Sequence, residues 1–185
     1  MSKRTNLQFL VGYDDSGNEV FGDFRRTGGF ISTGHVGSGH ASFDEAAFVT
    51  DLLQHYSPGE LQFVMIDPKR VELTLYNKIP HLLTPVITDS KKAIAALRWL
   101  AKEMDRRYDI LEAEAVRDIQ SYHKNVLEPT LAKAATKKTT AEEGEADEAD
   151  EVEQMPYIVV IIDELADIMT AYPRELEAAI VRLAQ

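Results

Sequence analysis

The stretch Y-I-V-V-I-I-D-E-L-A-D-I-M, Tyr157 to Met169, decides the fold of this chain. Six mostly β-branched apolar residues run without alternation into two adjacent carboxylates, Asp163 and Glu164. An unbroken apolar run of that length, closed by charge, is the pattern of a strand buried on both faces of a parallel sheet. In open α/β sheets, ligands sit beyond the carboxyl ends of the strands. An acidic pair at that end suits a Mg²⁺–nucleotide site, one carboxylate holding the metal's water shell and the next polarising an attacking water. The plainer alternative is an Asp that only caps the following helix.

Working back toward the N-terminus, the next decisive stretch is Gly34-His35-Val36-Gly37-Ser38-Gly39-His40-Ala41. It follows a short apolar segment, Gly29 to Ser32, and precedes a helical pattern from Ser42 to Tyr56 with Phe43, Ala47, Phe48, Leu52 and Tyr56 on one face. Strand, glycine loop, helix is the context in which backbone N–H groups and a helix N-terminus close on phosphate. Against G-x-x-x-x-G-K-[ST], Gly34 and Gly39 match, but His40 stands in place of Lys and Ala41 in place of the hydroxyl residue. His40 is shorter than Lys and mostly neutral at pH 7, with an ordinary pKa of about 6.5. Ala41 offers a metal nothing, and Ser42 is one residue late, about 100° round the helix.

The other segments read as scaffold. Leu7 to Phe24 is a hairpin around the turn formers Asp14 to Asn18. Leu61 to Ile66 is a second buried strand, ending in Asp67-Pro68-Lys69-Arg70. Pro80 to Asp89 is loop with a short extended piece at Val86 and Ile87, after which Thr88 or Asp89 caps a long helix to about Ala115. Its apolar stripe is Ala93, Leu97, Leu100, Met104, Tyr108 and Leu111, with Arg98, Lys102, Arg106 and Arg107 on a solvated face. A closing amphipathic helix starts near Pro173 and turns Leu176, Ala179, Ile180 and Leu183 inward. The expected divisions are an N-terminal hairpin region (1–28), a first half of the core with the glycine loop (29–130), a low-complexity acidic insertion without structure (131–154), and the acidic strand with its helix (155–185).

Composition excludes some classes. The chain of 185 residues holds no cysteine, so disulfide frameworks and thiolate metal sites are out. No apolar run approaches a membrane span, which predicts a cytoplasmic chain. Eight of the carboxylates behind the net charge of −11 lie between Glu142 and Glu153, leaving about −3 elsewhere, so overall acidity does not argue against a nucleic-acid partner. His35, His40 and His55 share no helical face at ligand spacing, and ordinary loop histidines are the better reading.

In this order the pieces resemble the motor domain of the FtsK/SpoIIIE family of DNA translocases. The resemblance is carried by the glycine loop, by V-M-I-D-P-K-R-V-E-L at Val64 to Leu73, and by I-P-H-L-L-T-P-V-I-T-D at Ile79 to Asp89. It continues through A-L-R-W-L-A-K-E-M-D-R-R-Y at Ala96 to Tyr108 and the acidic strand. It implies an α/β, RecA-like P-loop NTPase core, a mostly parallel sheet flanked by helices, here truncated at the C-terminus. It also implies ATP and Mg²⁺, double-stranded DNA as partner, and a homo-hexameric ring acting in chromosome segregation and cell division. Intact members are anchored at the bacterial inner membrane by a segment expected upstream and absent here. Carried over by position, Gly34, His35, Val36, Gly37, Ser38, Gly39, His40 and Ala41 would form the phosphate loop. Asp163 would hold the Mg²⁺ shell, and Glu164 would be the base that orients water. An arginine from a neighbouring subunit would complete the site.

Two departures put hydrolysis by this chain in question: His40 and Ala41 in the loop, and the absence of the strands that the resemblance leads one to expect after the final helix. Phosphoryl transfer depends on the electrostatic groups those loop positions normally supply. The alternative reading is a non-hydrolysing ring subunit or DNA-binding scaffold with the same fold.

Overall fold

The computed structural model describes residues 7–24, 29, 45–140 and 152–184, which fall into two compact units divided after Ser57. The expected strand beyond Gly29 and the glycine loop from Gly34 to Ala41 lie outside the described residues.

The first unit is a hairpin and a helix. Strands β1 (Gln8–Tyr13) and β2 (Glu19–Asp23) pair antiparallel from Gln8↔Asp23 to Tyr13↔Glu19. Asp14 builds the turn: its carboxylate accepts from the backbone N–H groups of Ser16 (2.9 Å) and Asn18 (2.8 Å) and from the Asn18 side-chain amide (3.0 Å). Gly17, at φ 81°, takes the left-handed position that a side chain would strain. Helix α1 (Glu45–His55) buries Phe48, Val49 and Leu52, and Phe9 meets Phe48 edge-on at 4.8 Å. A methyl group on Gly22 would sit 2.4 Å from the Phe9 ring, so the packing requires glycine there. Ala47, expected inward, is exposed and Val49 takes its place. His55 spends its Nδ1 donating to the Asp51 carbonyl at 2.7 Å, as a helix-end histidine does.

In the second unit, β3 (Leu61–Ile66) and β4 (Tyr157–Ile162) run parallel, paired from Leu61↔Tyr157 to Ile66↔Ile162. The loop 80–87 lines the other edge of β3 with parallel bridges Phe63↔Leu82 and Ile66↔Ile87. Flanked on both edges, β3 buries five of its six residues, whereas in β4 only Val159 is fully buried and its neighbours are half-buried. That corrects the expectation of a β4 covered on both faces: among the described residues it pairs with β3 alone.

Helix α2 (Ser90–Ala113) starts at Asp89, whose carboxylate accepts from the Lys92 N–H at 2.9 Å. Ala93, Ile94, Leu97 and Leu100 enter a core with Val64, Ile66, Ile87, Ile168, Leu176 and Ala179. Each large apolar side chain there contributes about 1.5–3 kcal/mol by leaving water. The expected stripe continued to Leu111, but Tyr108 is exposed, because 24 helical residues span about 36 Å while a six-residue strand spans about 20 Å. Helices α3 (Ile119–Tyr122) and α4 (Glu128–Thr140) follow, joined by a π-turn over 123–127. The expectation of a structureless 131–154 is corrected at both ends. Residues up to Thr140 are helical, as their Ala and Lys content favours. Beyond residues 141–151, which are not described, Glu153 is tied to Arg106 at 2.6 Å. Arg106 and Arg107, expected on a solvated face, grip Glu103 at 2.7 Å each, and Arg107 also donates to the Pro156 carbonyl at 2.7 Å. This clamp fixes the entry to β4.

Two helices complete the unit, α5 (Leu165–Ala171) and α6 (Pro173–Ala184). Leu176 and Ala179 are buried as expected, but Ile180 is exposed. At 100° per residue it lies on the rim of the stripe that Leu176, Ala179 and Leu183 define. Among the described residues no helix is long and apolar enough to cross a membrane.

Candidate functional site

Parallel pairing brings the ends of β3 and β4 to the same edge, one residue past the last rung at Ile66↔Ile162. Asp67 and Asp163 are therefore neighbours, and the Asp163 N–H donates to the Ile66 carbonyl at 2.9 Å. Asp163 and Glu164, the two residues expected to carry the chemistry, thus leave the sheet at its carboxyl end.

Asp67 is fully buried. Its N–H donates to the Ile87 carbonyl (2.8 Å), its carbonyl accepts from the Arg70 N–H (3.2 Å), and its Oδ2 accepts from the Leu73 N–H (3.1 Å). The second carboxylate oxygen, Oδ1, has no hydrogen-bond partner. Asp67 thus pins a tight turn, Asp67 to Arg70, from which Lys69 reaches across to β4. Its Nζ donates to Glu164 Oε2 at 2.7 Å.

Glu164 has φ 55°, the left-handed region that costs a side-chain-bearing residue, and it precedes the first turn of α5. Its carboxylate makes no bond to the helix N–H groups, so it serves as no cap and is free to meet Lys69. Arg70, beside Lys69, is also left-handed at φ 59°. Strained backbone of this kind persists only where the surroundings determine it, and it gathers at working sites.

Negative charge gathers at this strand end, with Lys69 beside it. Burial pushes the Asp163 carboxyl above its usual range, and the nearby negative charges of Asp67, Glu164 and Glu72 push it further, with Lys69 opposing. The hydrogen bond to Glu164 raises the Lys69 ammonium, and the Glu164, Asp167 and Asp163 charges add to it. Among the described residues, no three acidic or histidine side chains converge into a closed metal cage. Lys69, Asp67 and Glu72 were not singled out as site residues from the sequence. Their signal was present: Asp67-Pro68-Lys69 follows a buried strand just as Asp163-Glu164 does, and only the parallel register reveals that the two ends meet.

Comparison with known proteins bears on the family and the fold. Residues 2–185 match the model of the FtsK/SpoIIIE family. The chain is 39% identical over 184 residues to the DNA translocase SftA of Bacillus subtilis, covering 100% of this chain and 17% of that protein. It is likewise 39% identical to the DNA translocase FtsK of Haemophilus influenzae, covering 98% of this chain and 35% of the relative. In fold it is similar to the pCW3 conjugation coupling protein TcpA, in its monomer form with ATPgS (TM-score 0.59, 21% identity, 96% of this chain and 42% of the other). It is similar too to the cytoplasmic domain of the type VII secretion ATPase EccC of Thermomonospora curvata (TM-score 0.53, 21% identity, 98% and 20%). The α/β class with a parallel sheet and flanking helices holds as expected.

Proposed function

The chain belongs to the FtsK/SpoIIIE family, and from that premise we propose that it is the nucleotide-handling part of an ATP-driven motor that moves double-stranded DNA. The observation that carries the reading is the acidic pair Asp163-Glu164 at the carboxyl end of a strand held parallel to its neighbour. Gly34 to Ala41 supply the backbone N–H groups that hold phosphate oxygens. Asp163 would hold the water shell of Mg²⁺, which would supply charge neutralisation on the phosphates. Glu164 accepts a hydrogen bond from the attacking water, aligns it with the phosphorus and takes its proton. In the homo-hexameric ring of this reading, an arginine from the next subunit completes the site, and turnover drives DNA movement in chromosome segregation and cell division.

His40 and Ala41 weaken that machinery, since neither supplies the charge or the hydroxyl that the loop otherwise provides. These two positions favour a second reading, a ring subunit or DNA-binding scaffold that holds nucleotide without turning it over.

Turnover separates the readings. ATP hydrolysis is followed with double-stranded DNA present, for this chain, for His40→Lys with Ala41→Ser, and for that pair combined with Glu164→Gln. A motor gives turnover that the loop substitutions raise and that Glu164→Gln lowers by about 10²-fold or more. Turnover indifferent to Glu164 overturns the assignment of the base. Absent turnover with retained nucleotide binding supports the scaffold.

A further inference from the structure

Lys69 and Glu164 form an ion pair across the ends of β3 and β4. At 2.7 Å the ammonium holds Oε2, one of the two carboxylate oxygens that the proposed base would offer to water. A carboxylate oxygen so engaged is a poorer acceptor for water than a free one. Both partners are half open to solvent, at 51% and 36%, so the bond can break without exposing a core. The ends are nevertheless built. Asp67, buried and bonded at its N–H, its carbonyl and one carboxylate oxygen, fixes the turn that aims Lys69. Glu164 meets it from a left-handed backbone conformation, at φ 55°.

We propose that Lys69 is a positioning residue that stores Glu164 in a resting position and lets it go when a polyphosphate arrives. The inference rests on the nucleotide reading above. Its logic is competition: a triphosphate brings several negative charges, and Lys69 is a cation at this strand end, beside Arg70, its ammonium held by Glu164 and influenced by the Asp167 and Asp163 charges. An ammonium drawn toward phosphate gives up the carboxylate, and Glu164 then becomes free to accept from water. The resting motor is in this way kept from activating water before its substrate is in place.

Zero-length carbodiimide coupling reads the pair directly, because it joins an amine to a carboxylate only where the two are in contact. The chain, and its His40→Lys, Ala41→Ser form, are treated with and without saturating Mg–ATPγS. Tandem mass spectrometry locates the amide, and calorimetry on the same samples records whether the nucleotide binds. The expected result is a Lys69–Glu164 amide in the nucleotide-free protein, lost in Glu164→Gln, and largely lost when Mg–ATPγS is bound. No such amide without nucleotide, or an amide that shifts to Asp163 or Asp167, overturns the inference. Binding by calorimetry with an undiminished amide also overturns it and leaves the nucleotide reading standing. No binding by either form overturns the nucleotide reading, and the storage role falls with it.

Discussion

Replacing Glu103 by Gln tests the clamp that seats the entry to β4. Glu103 accepts from Arg106 Nε (2.7 Å) and Nη2 (2.8 Å) and from Arg107 Nε (2.7 Å), and its side chain is only 12% exposed. These bonds, Arg106 first, hold its carboxyl down to about 2 from an ordinary 4.5. Taken at face value the shift is worth roughly 3 kcal/mol. Arg106 is 45% exposed, so solvent screening reduces this to about 1–2 kcal/mol. The sign follows from the depressed folded-state value. The stabilisation is complete above pH 4.5 and is lost as pH falls through about 2. Thermal unfolding of both proteins across that range is the assay. At pH 7, Glu103→Gln lowers the midpoint by about 3–6 °C, and the gap closes as the pH approaches 2. No gap at neutral pH, or one that persists undiminished in acid, refutes the assignment of this carboxylate as the ionised centre of the clamp.

Two further substitutions probe the parts that hold the site. Gly22→Ala drives a methyl group to 2.4 Å from the Phe9 ring and destabilises the hairpin unit by about 1–3 kcal/mol, read by denaturant unfolding. Asp67→Ala leaves the Leu73 N–H buried without its acceptor and costs about 1–3 kcal/mol. It also speeds hydrogen exchange at Leu73 and lowers the yield of the Lys69–Glu164 amide, because the turn carrying Lys69 loses its anchor.

Much of the frame was legible because period and punctuation were strong. β3 and β4 announce themselves as unbroken apolar runs, and both fall where the sequence places them, at Leu61–Ile66 and Tyr157–Ile162. The hairpin follows from its Asp14 to Asn18 turn, and of the two caps the sequence allows for α2, Thr88 and Asp89, the structure uses Asp89. Burial was harder to read. Ala47, Ile180 and Tyr108 satisfy a helical stripe yet lie exposed, since periodicity marks a face but not how far the neighbouring sheet extends beneath it. Low complexity misled at residues 131–140, where alanine and lysine favour helix as readily as coil. At the site, Asp163 and Glu164 were readable because a hydrophobic strand delivers them. The partnership of Lys69 with Glu164 was not readable, since 95 residues separate the two and only the parallel register joins them.

ATP binding by calorimetry, with and without Mg²⁺, on this chain and on His40→Lys with Ala41→Ser, tests the nucleotide reading most directly. The expected result is Mg²⁺-dependent binding that is weak in the chain as it stands and at least about tenfold tighter after the two substitutions, a gain of about 1.4 kcal/mol. Absence of binding in both proteins would contradict the assignment of a phosphate loop and an acidic strand to one nucleotide function.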